Sequence, residues 1–501
     1  MVQVGLLRQR LGTMIRVSLT TALLFSACIA GLAAAQSAWA FVPGNRWGQT
    51  ASGATGLEGD PITLTWSLVP DGTSLTSAGP SDLISFMDAN FGVGVGGSDL
   101  MQRPWFHFFE DSFNRWTELG GINYVYEPND DATTQGSSSI GSLGLLGVRG
   151  DVRIGGALND GAGGTLAFSY FPNNSDMVLD TGDGDFFSNP ALNFVRLRNA
   201  IMHEVGHGFG LKHVESNTSD FLLEPSISTA FDGPQFDDIR GLQWFYGDAL
   251  EKTNGGQGND TAANATSLGL ISVGITVSIG TAATDTFVSP TDTDFISIDR
   301  NTDIDFFSFT ASGPSLLDVV LSPLGPTYNQ GTQGGAQSSI DTQAISNLAL
   351  TVFDTDGLTV LGSANNTGAG FAETLAGINL PAAGDYFVKI TGDDPIIQFY
   401  QLEVSVSDLV LFQPADFNQD GLVDALDFSD WQTAFGLSAG GDADGDGDSD
   451  GLDFLVWQQE FGSGAPLLAS SQAIPEPSSA LLLLLASLLA PVRRLSPCVS
   501  K

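Results

Sequence analysis

The sequence predicts a multidomain protein: an α+β domain with a twisted mixed sheet and helices, then an all-β sandwich, then a small helical calcium module. Three observations point to it. Three of the chain's four histidines lie together at 203–213, on a helical pattern of apolar residues. Short Thr, Ser and Val runs separated by Gly, Asp and Asn turns fill residues 259–408, as strands of a sandwich would. Within 413–463 an Asp-rich loop followed by an aromatic helix pattern occurs twice, 26 residues apart. Composition excludes one function class: 57 Asp and Glu against 18 Lys and Arg give a net charge of −39, which repels phosphate backbones, so no nucleic-acid partner is expected.

The two ends read as addresses. Arg8, Arg10 and Arg16, an apolar run over 17–35 and the small-x-small end Ala38-Trp39-Ala40 predict a signal peptide over 1–40, followed by an N-terminal segment at 41–59. At 474–501 the order is Pro475-Glu476-Pro477, an apolar stretch at 480–490, then Arg493 and Arg494. This arrangement resembles the PEP-CTERM sorting signal of Gram-negative bacteria. The resemblance implies an exosortase-type processing partner, export to the envelope, cell surface or medium, and membrane contact only through a short spanning segment in this tail. Cys28 and Cys498 both lie in these ends, so the body is expected to hold no disulfide.

The histidine segment reads HEVGHGFGLKH. His203 and His207 are four residues apart and share one helix face, one turn from each other, so both can reach one tetrahedral ion. Gly210 allows the helix to end with a sharp change of direction that brings His213 in as a third ligand. Three imidazoles leave one position open, the arrangement of a catalytic rather than a structural zinc. Glu204 lies where it can take a proton from a zinc-bound water attacking a peptide carbonyl.

With these residues the segment 60–249 resembles a matrixin-like metzincin peptidase. The amphipathic pattern at 105–119 (Phe109, Phe113, Trp116) matches its first helix, and DDIRGLQWFYG at 237–247 is similar to its closing helix. NDGAGGTLAFSYFP at 159–172 is similar to the family's calcium loop and the edge strand that pairs with substrate. The resemblance implies a protein or peptide substrate held near Leu166 and Ala167, and one calcium at Asp160, Asp180 and Asp183. Two departures stand out. Phe168 and Val178 occupy the positions of the family's structural-zinc histidines, so one zinc is expected; and FLLEP at 221–225 puts Leu223 where the family carries a methionine beneath the zinc.

A Gly/Asn/Gln-rich linker is expected at 250–258. NDTAANATSLG at 259–269, DIDFFSFTA at 303–311 and AAGDYFVKITG at 382–392 resemble the bacterial pre-peptidase C-terminal domain, which implies a spacer or binding module over 259–408. No convergent carboxylate set is evident there. The repeat then offers oxygen ligands at positions 1, 3, 5, 9 and 12 of two twelve-residue loops: Asp416, Asn418, Asp420, Asp424 and Asp427, then Asp442, Asp444, Asp446, Asp450 and Asp453. Gly421 and Gly447 supply the bend, and the backbone oxygens of Leu422 and Asp448 a further ligand, so each EF-hand-like loop is expected to hold one calcium. Asp at position 12 and one helix per loop make 413–463 similar to a type I dockerin. Two readings of it stay open: a plug for a cohesin-like partner, and a purely structural calcium module. Two also stay open for the whole: a zinc metalloendopeptidase, and a catalytically silent surface or matrix protein that keeps the metzincin fold.

Overall fold

The computed structural model describes residues 41–409, except 54, 77 and 137–142, and residues 413–464. The expected signal peptide (1–40) and sorting tail with Pro475, Glu476 and Pro477 lie outside the described residues. Among these, no helix is long and apolar enough to cross a membrane. The chain divides into two compact units, one ending at Asp408 and the other starting at Leu409.

The first unit opens with β1 (Val42–Pro43) and then builds a five-stranded sheet from β2 (Ile62–Leu68), β3 (Ile122–Tyr126), β4 (Val152–Ala157), β5 (Ala167–Ser169) and β6 (Met177–Asp180), in the order β3-β2-β4-β6-β5. The first four strands in that order are parallel, and β5 is the antiparallel edge. β4 is buried at every position because neighbours cover both of its sides, which explains its continuous Val-Arg-Ile-Gly-Gly-Ala run without polar alternation. Helices α1 (Leu83–Phe91), α2 (Phe106–Leu119), α3 (Gly184–Phe187), α4 (Val195–Phe209) and α5 (Phe236–Tyr246) accompany the sheet. The expected face of α2 is the buried one: Phe109, Phe113 and Trp116 are fully enclosed, and the Trp116 indole donates to Met202 O at 3.0 Å on α4. On α5, Ile239, Leu242, Phe245 and Tyr246 are all buried.

The segment at 41–59 is a working part of this fold. β1 pairs with β7 (Leu211–Lys212), and the buried Trp47 donates its indole N–H to Gly208 O at 2.9 Å, so the N-terminal segment clamps the end of α4.

Residues 266–408, apart from a hairpin at 327–341, form two five-stranded sheets that share one core. One sheet runs β10 (Thr276–Ile279), β20 (Gln398–Asp408), β13 (Ser315–Pro323), β18 (Glu373–Leu380), with β11 (Ser297–Ile298) on β20. The other runs β17 (Val360–Ala364), β16 (Leu348–Phe353), β19 (Gly384–Gly392), β12 (Ile304–Ala311), β9 (Thr266–Leu270). Inward alternation, strict on β13 and β16 and setting in after Phe399 on β20, puts Leu317, Val319, Leu350, Val352, Leu402 and Val404 between them.

The break expected at 250–258 does not divide the first unit. Val288, Phe295, Tyr328, Ile340 and Phe399, all C-terminal to it, share one core cluster with Phe236, Leu242 and Tyr246 of α5. Gln243 on α5 donates to Phe295 O (3.1 Å) and accepts from Ser297 Oγ (2.7 Å). The polar composition of 250–258 reflects tight turning rather than a tether: Asn254, Gly255 and Gly256 all have positive φ.

The second unit carries α6 (Ala425–Ala434) and α7 (Gly451–Glu460). Its two copies are cross-linked reciprocally: Trp431 donates to Asp450 O at 3.0 Å and Trp457 to Asp424 O at 2.9 Å. Phe428, Trp431, Phe454 and Trp457 stack between the helices with centroids 4.8–5.7 Å apart.

Candidate metal centre and substrate cleft

The three histidines expected from sequence converge. His203 and His207 project one turn apart from α4, and Gly210, at φ +135°, turns the chain; a Cβ there would lie 2.5 Å from Asn45 O. The ring centroids of His203, His207 and His213 are 4.7–5.2 Å apart, and His203 Nε2 lies 3.2 Å from His213 Nε2. The other ring nitrogens point outward. His203 Nδ1 is 2.7 Å from Leu222 O, His207 Nδ1 2.7 Å from Leu211 O, and His213 Nδ1 2.9 Å from Gln333 Oε1. Each acceptor oxygen fixes the proton on Nδ1 and turns the Nε2 lone pair inward. Burial pushes His203 well below the usual imidazole range and His207 down to about 4, so both are neutral, the form that binds a metal. Among the described residues this is the one histidine cluster whose ligand atoms lie within 4.8 Å of one another. The donor set fits a tetrahedral zinc with one open position.

Glu204 is 6% exposed, and its Oε2 is buried with no hydrogen-bond partner. Burial pushes its carboxyl up to about 8, while Ser169 on β5 pulls the other way. A buried unpaired carboxylate is costly unless a cation or a proton meets it, and a metal on the three nitrogens would supply the charge.

The cleft around these groups measures about 1100 Å³ and is lined by Leu166, Ala167, Phe168 and Ser169 along β5, by Pro225, Ser226 and Ile227 opposite, and by Thr332 and Gln333. Leu166 and Ala167 thus both line the cleft. Leu223 is 1% exposed, and a Cβ on Gly206 would come within 2.8 Å of it, so it packs directly against the metal-bearing helix. Phe168 and Val178 are cross-strand partners and pack with Val69 and Leu75, so apolar side chains fill this place.

Asp160, Asp180 and Asp183 are brought together by the loop after β4, but through backbone amides. Asp180 accepts from the N–H groups of Asn159, Asp160, Gly161 and Gly182, Asp183 from Gly163, and Asp160 from Thr165. Their carboxylates do not form a set within 4.8 Å of one another. In the second unit, Asp442, Asp444 and Asp453, and likewise Asp448, Asp450 and Asp453, do form such sets. Asp448 thus offers its side chain there, beyond the backbone oxygen expected of it. In the first loop Asp416 accepts from Asp420 N and Gly421 N, Asp427 from Asn418 N and Asp424 N, and Asp424 caps α6 through Leu426 N. Asn418 Oδ1 and Asp420 Oδ1 accept from the amides two residues on, the latter from Leu422 N. In the second loop Asp446 likewise accepts from Asp448 N.

Sequence reasoning missed two features. Asp238 on α5 accepts from Leu222 N (2.8 Å) and Leu223 N (3.1 Å), holding the turn whose carbonyl orients His203. The second corrects the expectation of no convergent carboxylates in the sandwich region: Glu251, Asp260 and Asp303 bring oxygens within 4.8 Å of one another, close enough to share a hard cation, with Asp248, Asp299 and Asp305 around them. They come from three separate segments, so no local spacing announces them. Burial, then mutual repulsion, raises Asp299 to about 6, Asp248 to about 7 and Glu251 to about 10. Carboxylates raised in the fold bind more protons than in the unfolded chain, so their contribution is most favourable below about pH 4 and is lost as pH rises through the folded values. In a divalent-cation-free buffer, the thermal midpoint of the first unit is expected to fall between pH 5 and 8; a flat profile in a calorimetric series would contradict this.

The match to known proteins covers this region. Residues 99–247 match the matrixin family model. Metalloendoproteinase 5-MMP of Arabidopsis thaliana is 30% identical over 158 residues, 30% of this chain and 41% of that protein. Matrix metalloproteinase-15 of Homo sapiens is 30% identical over 155 residues, 28% of this chain and 22% of that protein. The chain thus spans less than half the length of either relative. Among solved structures, the pre-peptidase C-terminal domain of a Bacillus anthracis collagenase aligns with 28% of this chain at 13% identity and a TM-score of 0.17, too low to bear on the fold. Residues 99–247 are thus similar to the matrixin family over less than a third of the chain, in the region that carries the α+β sheet, its helices and the three histidines.

Proposed function

We propose that this chain is an exported zinc-dependent metalloendopeptidase. The observation that carries the reading is the pairing of three inward-facing imidazole nitrogens with the buried Glu204, whose Oε2 has no hydrogen-bond partner, in an open cleft beside an edge strand. A zinc ion held by His203, His207 and His213 would act as a Lewis acid on a peptide carbonyl and on water. Glu204 would accept the water's proton as the carbonyl is attacked and deliver it to the departing amine. An extended peptide would pair with β5 near Leu166 and Ala167, because that strand is the sheet's open edge. The test is cleavage of an unfolded protein substrate by the whole chain. Activity should vanish with a zinc chelator and return with added zinc; a folded, zinc-loaded protein that cleaves nothing would favour the silent surface-protein reading.

Calcium would serve the second unit, one ion per loop at 416–427 and 442–453. That unit would dock to a cohesin-like partner or act as a structural module, while the 474–501 tail would be processed by an exosortase-type enzyme at the cell envelope of a Gram-negative type bacterium.

A further inference from the structure

The hairpin of β14 (Thr327–Thr332) and β15 (Ser338–Asp341) leaves the sandwich region and reaches the metal centre. Resting on the zinc reading above, we propose that this hairpin completes that centre, with Gln333 as the positioning residue of the third ligand, His213.

Three observations converge on it. His203 and His207 are each oriented by a backbone carbonyl of the peptidase fold itself, Leu222 O and Leu211 O, whereas the corresponding acceptor for His213 is Gln333 Oε1, 120 residues further along the chain. His213 is also the single residue between β7, pinned by β1, and β8 (Val214–Glu215), pinned by β14 through Glu215↔Gly331 and Val214↔Thr332. The Gly334 N–H donates to the Glu215 carboxylate at 3.0 Å, closing the turn over this pairing. Finally, the hairpin is anchored deeply. Tyr328 is buried against Phe221 and Phe236, donates to Asp237 at 2.6 Å and accepts from Arg240 at 3.1 Å, both on α5.

The physical consequence concerns the tautomer. The Gln333 carbonyl oxygen accepts from Nδ1–H, which leaves the Nε2 lone pair of His213 directed at the site; without it, Nδ1 faces solvent and the ring is free to rotate and to carry its proton on either nitrogen. Such an outer partner of a metal ligand is worth about 10–100-fold in metal affinity. Thr332 and Gln333 also line the cleft beside Glu204, so the sandwich region forms a wall of the substrate site rather than a spacer.

The experiment compares the full chain with Gln333→Ala and Gln333→Glu, measuring zinc affinity by chelator competition and the visible spectrum of the cobalt(II)-loaded proteins. Gln333→Ala should lose about 10–100-fold in zinc affinity and shift the cobalt bands, with the metal-free thermal midpoint unchanged because Gln333 is exposed. Gln333→Glu keeps an acceptor oxygen and should return both readouts to wild type. Unchanged zinc affinity and cobalt spectrum in Gln333→Ala would overturn the proposal, and so would an affinity loss that Glu does not rescue. If the wild type binds no zinc, the metal-centre reading falls and takes this with it. If the wild type binds zinc but cleaves nothing, the peptidase reading alone falls.

Discussion

Replacing Glu204 by Gln is expected to lower kcat/KM on a protein substrate by at least about 10²–10⁴-fold while zinc content stays at the wild-type level. Gln keeps the volume and one acceptor oxygen but cannot take a proton. Glu204 is the acidic side chain best placed to take it, because it follows His203 on α4, is nearly fully enclosed, and has an oxygen that no protein group satisfies. Its neutral replacement also removes a buried carboxyl that burial penalises when charged, so the folded state should be no less stable. Metal analysis alongside initial-rate measurement separates loss of proton transfer from loss of the ion. Equal rates for the two proteins at matched zinc would remove Glu204 from the mechanism.

The second large effect is expected on removal of calcium. Residues 413–464 should then lose their amide hydrogen-exchange protection, and Asp453→Ala should do the same to the second loop with calcium present. The reason lies in how little else holds this unit. Ala415, Val423 and Ala434 are its buried apolar residues, whereas Leu426, Phe435, Leu437, Leu452, Leu455 and Phe461 are exposed. Against this small core stand six carboxylates within the second loop; repulsion by Asp446 leads in raising Asp448, and burial in raising Asp444. Ion binding that neutralises these charges is folding energy for such a unit. Asp453 is fully enclosed and receives the N–H groups of Ala443, Asp444 and Asp450, so its loss opens the loop whichever ion is present. Exchange protection that survives both treatments would mean the aromatic stack alone suffices.

Several regions of this protein were legible as local pattern. The 3.6-residue period of Phe109, Phe113 and Trp116 placed α2, and the i, i+4 spacing of His203 and His207 put two imidazoles on one face of α4, because a helix has only one geometry to offer them. Short apolar and Thr/Ser runs between turn residues did the same for β12 and β19, where the pleat sends alternate side chains to opposite faces. The 26-residue repeat likewise carried over into helices that meet through reciprocal Trp–carbonyl bonds.

What local pattern could not carry is any contact whose partners are far apart in the chain. Glu251, Asp260 and Asp303 look like surface acids until a short helical turn and two loops, the last leading into β12, bring them within 4.8 Å. The boundary at 250–258 looked like a linker because Gly and Asn favour both flexible tethers and tight turns, and only burial on either side distinguishes them. The sequence alone singled out His203, Glu204 and His207 by their spacing on one helix, and His213 by the glycine turn that follows it, since such spacing is a one-dimensional property. Tertiary structure alone decided what surrounds them: Asp238 beneath His203, β1 along Leu211, and a hairpin from the following sheets at His213, because second contacts to a ligand are chosen by packing and not by position in the chain.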